Sequence, residues 1–174
     1  GVEEFDREGR WLEVDLGKLR VVSVYFPSGT SGDERQEVKY RFLDLMSLRL
    51  ADILASGKPT LLCGDFNIAH KEIDIKNWKG NLDHTGFLPE ERQWVTDRLA
   101  TGWVDTYRAL YPNKEQYTWW SQRGQARAKN VGWRIDYQWA TPLLGQTIRE
   151  ASVYAEPKLS DHAPLIMDYD FSLE

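Results

Sequence analysis

Residues 60–67 read Thr-Leu-Leu-Cys-Gly-Asp-Phe-Asn, an apolar run followed by a polar end. Their continuously apolar start is typical of a strand in the middle of a sheet that is covered on both faces. That strand delivers Asp65 and Asn67 at its carboxyl end. Because alternate residues of a strand point the same way, we predict that both side chains face one pocket, where they could orient a water. Taken alone, the same residues also suit a simple turn, since Asp and Asn favour turns.

The elements before this strand predict an α/β fold. Residues 11–16 alternate, with Leu12, Val14 and Leu16 on one face, and residues 19–26 are rich in Val, so the two form a hairpin through the turn at 17–18. A capping-box spacing at residues 31–34 and a helical apolar spacing over 38–54 predict a helix. Gly57 and Pro59 then end that helix.

The second half of the chain adds one helix and three strands. Pro89 opens the helix, and strands are predicted near residues 134–140, 148–154 and 163–171. No repeat, linker or low-complexity tract divides the chain, so we predict a single domain over residues 1–174. Strands interleaved with helices and hairpins indicate a layered α/β sandwich of mixed β-sheets flanked by helices.

Composition narrows the class of protein. With 41% hydrophobic and 28% charged residues, the 174-residue chain is typical of a globular domain. No apolar run approaches the length of a membrane span, so we expect no membrane partner. The single cysteine, Cys63, indicates strand packing and fits a reducing cytoplasm. The net charge of -5 disfavours a general nucleic-acid coat protein, so a polyanion would need a local basic patch or a bound cation.

A second group of polar residues surrounds the last predicted strand. Asp161 is a hard oxygen donor suited to Mg²⁺, and His162 could hydrogen-bond or protonate a phosphate oxygen. The alternative is an ordinary loop with a surface histidine. Asp136, set among apolar residues, is a candidate buried carboxylate that needs a partner. We choose His162 as that partner, with Arg134 as the alternative.

Two further features are compatible with a phosphate-containing substrate. The hydroxyl of Tyr25, at the end of the second strand, could reach a phosphate, although a core or rim tyrosine is the simpler interpretation. Residues 116–135 contain no acid, and they interleave basic and aromatic side chains, as a nucleic-acid groove does. These side chains are Tyr117, Trp119, Trp120, Arg123, Arg127, Lys129, Trp133 and Arg134. A solvated loop packed by its tryptophans is the alternative.

Together these stretches resemble the exonuclease III family of AP endonucleases, within the endonuclease–exonuclease–phosphatase superfamily, and bacterial members above all. The matching stretches are 25–29 (Tyr-Phe-Pro-Ser-Gly), 62–70 (Leu-Cys-Gly-Asp-Phe-Asn-Ile-Ala-His), 86–92 (Gly-Phe-Leu-Pro-Glu-Glu-Arg), 117–120 (Tyr-Thr-Trp-Trp), 130–137 (Asn-Val-Gly-Trp-Arg-Ile-Asp-Tyr) and 160–162 (Ser-Asp-His). They occur in the family's order over nearly the whole chain. The resemblance implies a DNase I-like sandwich of two sheets.

The resemblance also implies a role for each matching residue. Asp65 would orient or deprotonate the attacking water, Asn67 would position it, and His162, held by Asp136, would stabilise the phosphate. Tyr25 would point its hydroxyl at that phosphate. The expected metal ligands are Asp161, Asp65 and Asn67, for Mg²⁺ or Mn²⁺. The expected DNA-binding residues are Asn81, His84, Arg123, Arg127, Lys129, Asn130 and Trp133, and the expected abasic-sugar pocket is Trp119, Trp133 and Ile135.

Two departures from the family pattern stand out. The family's N-terminal portion, roughly its first third, is expected to lie outside this sequence, together with a metal-binding Glu, an Asn and N-terminal strands. His84 occupies a position where relatives usually have Asn, while Asn81 still matches a phosphate-contacting position. We therefore expect His84 to change substrate preference.

Three functional hypotheses follow. The first is a monomeric Mg²⁺-dependent DNA repair enzyme that cuts duplex DNA 5′ to abasic sites and trims 3′ ends, located in a bacterial cytoplasm. The second is a superfamily phosphatase or lipid phosphodiesterase, which would share the same core residues. The third is a catalytically impaired fragment that only binds DNA, because a metal carboxylate is expected to lie outside it.

Overall fold

The computed structural model describes residues 1–174, built around a five-stranded mixed sheet. The strand order is β1-β2-β3-β7-β4. The strands are β1 (Trp11–Asp15), β2 (Arg20–Tyr25), β3 (Thr60–Asp65), β4 (Val104–Asp105) and β7 (Asp136–Ala140). The β1–β2 hairpin and the strands near 60 and 136 confirm the expected α/β arrangement.

The register of the sheet brings three strand ends together. Strand β2 runs parallel to β3, with Tyr25 opposite Asp65. Strand β7 runs antiparallel to β3, with Asp65 opposite Asp136. Parallel pairing requires a crossover connection, which here includes α2 (Asp33–Ser56). One edge of the sheet therefore collects a tyrosine and two carboxylates.

The helices begin and end largely where the sequence predicts, with one correction. Helix α2 ends at Gly57 in the left-handed conformation, as expected. Its N-cap, however, is Gly32, and no side chain caps it, so the predicted capping box of Ser31 and Glu34 is wrong. The other helices are α1 (Glu3–Asp6), α3 (Pro89–Ala100), α4 (Thr106–Leu110) and α5 (Pro142–Gly145), and none of the five is long and apolar enough to cross a membrane.

The hydrophobic core lies under one face of the sheet, which we name the closed face. Its strand residues are Val22, Val24, Leu62, Tyr137 and Trp139, and each is at most 3% exposed. Helix α2 covers them with a stripe of buried side chains, which comprises Phe42, Leu43, Met46, Leu50 and Ile53. Helix α3 adds Val95 to the same core. Because the burial of apolar side chains stabilises a folded protein, the closed face contributes most of the stability of the fold.

The opposite face, which we name the open face, is covered only in part. A second, two-stranded sheet of β8 (Ile148–Val153) and β9 (Leu165–Tyr169) packs against β7 there. Tyr169 donates its hydroxyl hydrogen to Gln138, which donates in turn to the Leu165 carbonyl. Toward β1 the face is bare, with Leu12 66% exposed. A third small sheet pairs β5 (Trp119–Trp120) with β6 (Gly132–Trp133).

The segment of residues 70–88 contains two short 3₁₀ turns, Glu72–Asp74 and Trp78–Asn81. Its buried Ile75 and Phe87 pack with Ala69 and Ile135 in a separate small cluster. This cluster anchors the segment beside the edge of the sheet where the polar residues gather.

Candidate active site

Asp65 and Asn67 form one hydrogen-bonded unit. The Asn67 backbone N–H donates to Asp65 Oδ1 at 2.8 Å, and Asn67 Nδ2 donates to Asp65 Oδ2 at 3.1 Å and to the Phe26 carbonyl at 3.0 Å. The predicted proximity is confirmed, but its predicted cause is wrong. Strand β3 ends at Asp65, and Asn67 has φ of 52°, so a turn brings the two side chains together.

The surroundings of Asp65 favour its protonated form. Burial, reinforced by the nearby charge of Asp136, raises the pKa of Asp65 to about 7. The Asn67 N–H and the positive charges of His162 and Lys39 act in the opposite direction. A carboxyl group with a pKa near neutrality can take or hold a proton at working pH, as a general base requires.

His162 is held by Asp136, as the sequence predicts. The Nδ1 atom lies 2.9 Å from one Asp136 carboxylate oxygen and 3.1 Å from the other. This hydrogen bond raises the pKa of His162, and burial of the ring opposes part of that shift. Because Nδ1 is occupied, Nε2 is the ring atom that can meet a phosphate oxygen.

Arg134, the alternative partner of Asp136, belongs to a different network, so that alternative is wrong. Its Nη2 lies 2.7 Å from Asp105, and its Nε lies 2.7 Å from Asp74. Arg108 binds the same Asp74 carboxylate. This network lies behind the site and fixes the start of β7, where Asp136 stands.

Three groups could share a cation. Ligand atoms of Asp65, Asp136 and His162 all lie within 4.8 Å of one another. Two carboxylates this close repel, as the raised pKa of Asp65 shows, and a divalent cation would relieve that repulsion. The residues therefore fit a metal ion. Asp161 is not in this cluster, because its carboxylate accepts hydrogen bonds from Trp119 Nε1 and Ser160 Oγ, each at 3.1 Å.

A cavity of about 490 Å³ opens in front of these groups. Trp119 and Trp133 meet edge to face in it, with ring centroids 6.3 Å apart. The cavity is lined by Tyr25, Ser28, Thr30, Asp65, Asn67, Asn81, His84, Thr85, Gly86, Trp119, Trp133, Ile135 and His162. The structure thus brings together all the predicted catalytic residues except Asp136, which lies behind His162, and all three predicted pocket residues.

The predicted DNA-binding residues divide into two groups. Asn81, His84 and Trp133 line the cavity, and His84 Nδ1 lies 2.9 Å from Asp83. The basic residues lie on the neighbouring loop, where Arg123 and Lys129 are exposed.

Two residues of this loop have structural partners. Arg127 packs over the Trp120 ring and donates to the Ala155 and Ser160 carbonyls, while Asn130 Oδ1 accepts from Trp120 Nε1 at 3.0 Å. Both residues therefore fasten the loop, in addition to any contact with DNA.

Sequence reasoning missed several lining and supporting residues. Ser28, Thr30 and Thr85 supply hydroxyls to the cavity wall. Lys39 and Glu91 form a fully buried ion pair behind Asn67, with Nζ 2.6 Å from Oε1. One signal could have revealed Lys39, because it lies three and four residues before the buried Phe42 and Leu43 and so occupies the apolar stripe of α2.

Comparison with known proteins supplies the class to which this fold and site belong. Residues 2–162 match the model of the endonuclease/exonuclease/phosphatase family. The exodeoxyribonuclease of Bacillus subtilis (strain 168) is 41% identical over 166 residues, which are 95% of this chain and 66% of that protein. The DNA repair nuclease APEX1 of Danio rerio is 37% identical over 169 residues, which are 96% of this chain and 54% of that protein.

Solved structures agree with the fold. An AP endonuclease from Archaeoglobus fulgidus superposes with a TM-score of 0.88 at 26% identity, covering 98% of this chain and 68% of the other. The chain belongs to the endonuclease/exonuclease/phosphatase family, and its resemblance to exonuclease III-type enzymes is confirmed. It spans between about half and two thirds of the length of the two relatives described above.

Proposed function

We propose that this chain carries the reaction centre of a Mg²⁺-dependent DNA repair phosphodiesterase, acting as an AP endonuclease and a 3′–5′ exodeoxyribonuclease. The observation that carries the proposal is the pair His162–Asp136 facing Asp65–Asn67 at one cavity, which Trp119 and Trp133 flank. The names of the relatives, a bacterial exodeoxyribonuclease and a DNA repair nuclease, support this choice of substrate.

The geometry suggests how each group acts. Asp65 orients a water and accepts its proton as the water oxygen attacks phosphorus. The bond from phosphorus to the leaving oxygen then breaks, and that oxygen is protonated from solvent. His162 and Tyr25 donate hydrogen bonds to the phosphate oxygens, where negative charge builds up. A divalent cation held at Asp65 would neutralise that charge, with the Asn67 amide oxygen as a further ligand. Asp161, the other ligand that the family resemblance implies, would first have to give up its hydrogen bonds from Trp119 and Ser160.

The cavity suits a nucleotide that lacks its base. Trp119, Trp133 and Ile135 offer apolar walls for an extruded sugar, and extrusion costs least where no base must be unstacked. Duplex DNA with abasic sites or 3′ ends is therefore the proposed substrate, bound by a monomer. Mg²⁺ is the proposed metal, since carboxylate and amide oxygens are its preferred protein ligands, and Mn²⁺ is the substitute. A bacterial cytoplasm is the proposed compartment.

A substrate panel tests this proposal. The chain is incubated with an abasic duplex, a duplex with recessed 3′ ends and phosphoinositide vesicles, each with Mg²⁺, with Mn²⁺ or with EDTA. We expect cleavage of the two DNA substrates only with metal, and a loss of ~10²- to 10⁴-fold in Asp65→Asn. Preferential cleavage of the phosphoinositide would instead favour the lipid phosphodiesterase. DNA binding without cleavage would favour the catalytically impaired DNA-binding fragment.

A further inference from the structure

The buried pair of Lys39 and Glu91 touches the candidate site from behind. Both side chains are 0% exposed, and the ammonium lies 2.6 Å from Glu91 Oε1. Charges buried to this extent are costly unless every donor and acceptor is used. Gln36 of α2 donates to Glu91 Oε1 at 3.1 Å, and the other hydrogen bonds of the pair run to the two chain segments that form the cavity wall.

Lys39 fixes the first of these segments. Its Nζ donates to the Asn67 carbonyl at 2.8 Å. Asn67 has a left-handed backbone conformation, which asparagine tolerates better than most residues, and the hydrogen bond from Lys39 is an additional restraint on that peptide. The same residue directs its side-chain amide to Asp65 Oδ2. A rotation of the Asn67 backbone would therefore move the amide away from Asp65.

Glu91 fixes the second segment. Its Oε2 accepts the backbone N–H of Gly86 at 2.6 Å and that of Leu88 at 3.1 Å, which also caps α3. Gly86 packs closely against the Asn67 turn and the Trp133 ring, because a Cβ there would lie 3.1 Å from both the Asn67 carbonyl oxygen and the ring. Through Lys39, one carboxylate thus connects the Asn67 turn to the Gly86 segment, which packs against the Trp133 ring.

We propose that Lys39 and Glu91 are positioning residues, which hold the Asn67 turn and the Gly86 wall in register so that Asn67 meets Asp65. The pair lies outside the cavity and touches no substrate. An ion pair that served only stability could bond to any backbone, whereas this one bonds to the turn beside Asp65 and to the cavity wall. The activity part of the inference rests on the proposed function.

The test replaces the pair without leaving a lone buried charge. In Lys39→Met/Glu91→Gln the glutamine can still accept from Gly86, but the bond to the Asn67 carbonyl is lost. The matched control is Leu50→Ala, a buried position on the same helix that does not line the cavity. We expect kcat on the abasic duplex to fall ~10- to 100-fold in the double variant with KM within about twofold, since small misplacements of reacting groups cost rate. The control should keep kcat.

A second measurement needs no activity. The chain has five asparagines, so selective ¹⁵N-asparagine labelling gives few signals, and Asn67→Ser identifies those of Asn67. We expect the Asn67 side-chain amide signals to shift in the double variant and to stay in place in Leu50→Ala. Unchanged Asn67 signals in a folded double variant would overturn the inference. If the unaltered chain cleaves no substrate, the proposed function fails, and the Asn67 signals still decide this inference.

Discussion

The two faces of the central sheet have different tasks, although their residues alternate along the same strands. On the closed face, Leu62 of β3 is fully buried under helix α2. Its neighbours in the strand, Leu61 and Cys63, point to the open face and are only partly buried. Asp65 points to the same face at the end of the strand. The apolar burial that stabilises the fold is therefore concentrated on the closed face. The open face can hold carboxylates and an imidazole, which would be costly to bury in a packed core.

The largest contrast is expected in stability. Leu62→Ala should lower the free energy of unfolding by ~2–5 kcal/mol, because it leaves a cavity in the closed face. Leu12→Ala, at a side chain 66% exposed on the open face, should change it by less than about 0.5 kcal/mol. Urea denaturation of both variants measures the difference. Equal losses of unfolding free energy in the two variants would show that the closed face does not contribute more to stability than the open face.

A smaller contrast concerns pH. The pKa of Asp65 is raised to about 7, so between about pH 4 and pH 7 the folded protein holds a proton that the unfolded chain has released. Stability should therefore fall as pH rises through this window, and the raised pKa of His162 extends the fall above its ordinary value. In EDTA, Asp65→Asn should remove the part of this fall that Asp65 causes. The loss of unfolding free energy between pH 5 and pH 7.5 should then be smaller than in the wild type by at least about 1 kcal/mol.

Thermal unfolding across this pH range, in metal-free buffer, measures that effect. A closed-face variant such as Leu62→Ala serves as the control, since it should lower stability equally at every pH. Parallel pH profiles for the wild type and Asp65→Asn would contradict the raised pKa that we assign to Asp65.

His84 lies at the rim of the open face and is expected to influence the choice of substrate. It lines the cavity beside Asn81, with its ring against Asp83. His84→Asn should change the ratio of abasic incision to 3′ trimming by about threefold or more, the effect of roughly 0.7 kcal/mol on one transition state. Asp83→Asn separates the contribution of the Asp83 contact. The idea is wrong if both rates and their ratio stay as in the unaltered chain.

The smallest expected effect concerns the basic loop. Lys129→Ala should weaken DNA binding about equally for all sequences and reduce the salt slope by about 1, because a phosphate contact carries no base code. Arg127→Ala should do the same and, because its guanidinium binds the Ala155 and Ser160 carbonyls, should also loosen the loop. Lys18→Ala, in the turn at the far end of the hairpin, is the control, and an equal salt effect there would contradict the assignment.

Much of the fold followed from local sequence, and the reason is physical. Strand β3 and helix α2 were predictable because apolar runs, apolar periodicity and a terminal glycine act within a few residues of one another. The predicted cap of α2 failed because Gly32, not a serine side chain, stands at its start. The apolar pattern of a segment indicates which of its residues are buried. The position of the N-cap depends on the backbone conformation of the preceding loop, which that pattern does not determine.

The site was predictable only where motif and order along the chain supplied the long-range information. The partners Asp136 and His162 were identified correctly, but Arg134 was left with the wrong alternative partner. Its true partners, Asp74 and Asp105, lie 60 and 29 residues away in sequence. The pairing of Lys39 with Glu91 was missed for the same reason, since the apolar stripe of α2 marks Lys39 as buried but does not indicate its partner on α3.

The edge-to-face tryptophans of the cavity give the molecule a built-in optical probe. Trp119 and Trp133 line the cavity, with Trp119 near the ring of His162, whereas Trp103 and Trp139 lie in the core. Emission from the first pair should respond to occupancy, and emission from the second to unfolding. The double substitution Trp119→Phe/Trp133→Phe would remove the first signal and leave emission from the other six tryptophans, so comparison with the unaltered chain would separate occupation of the site from loss of the fold.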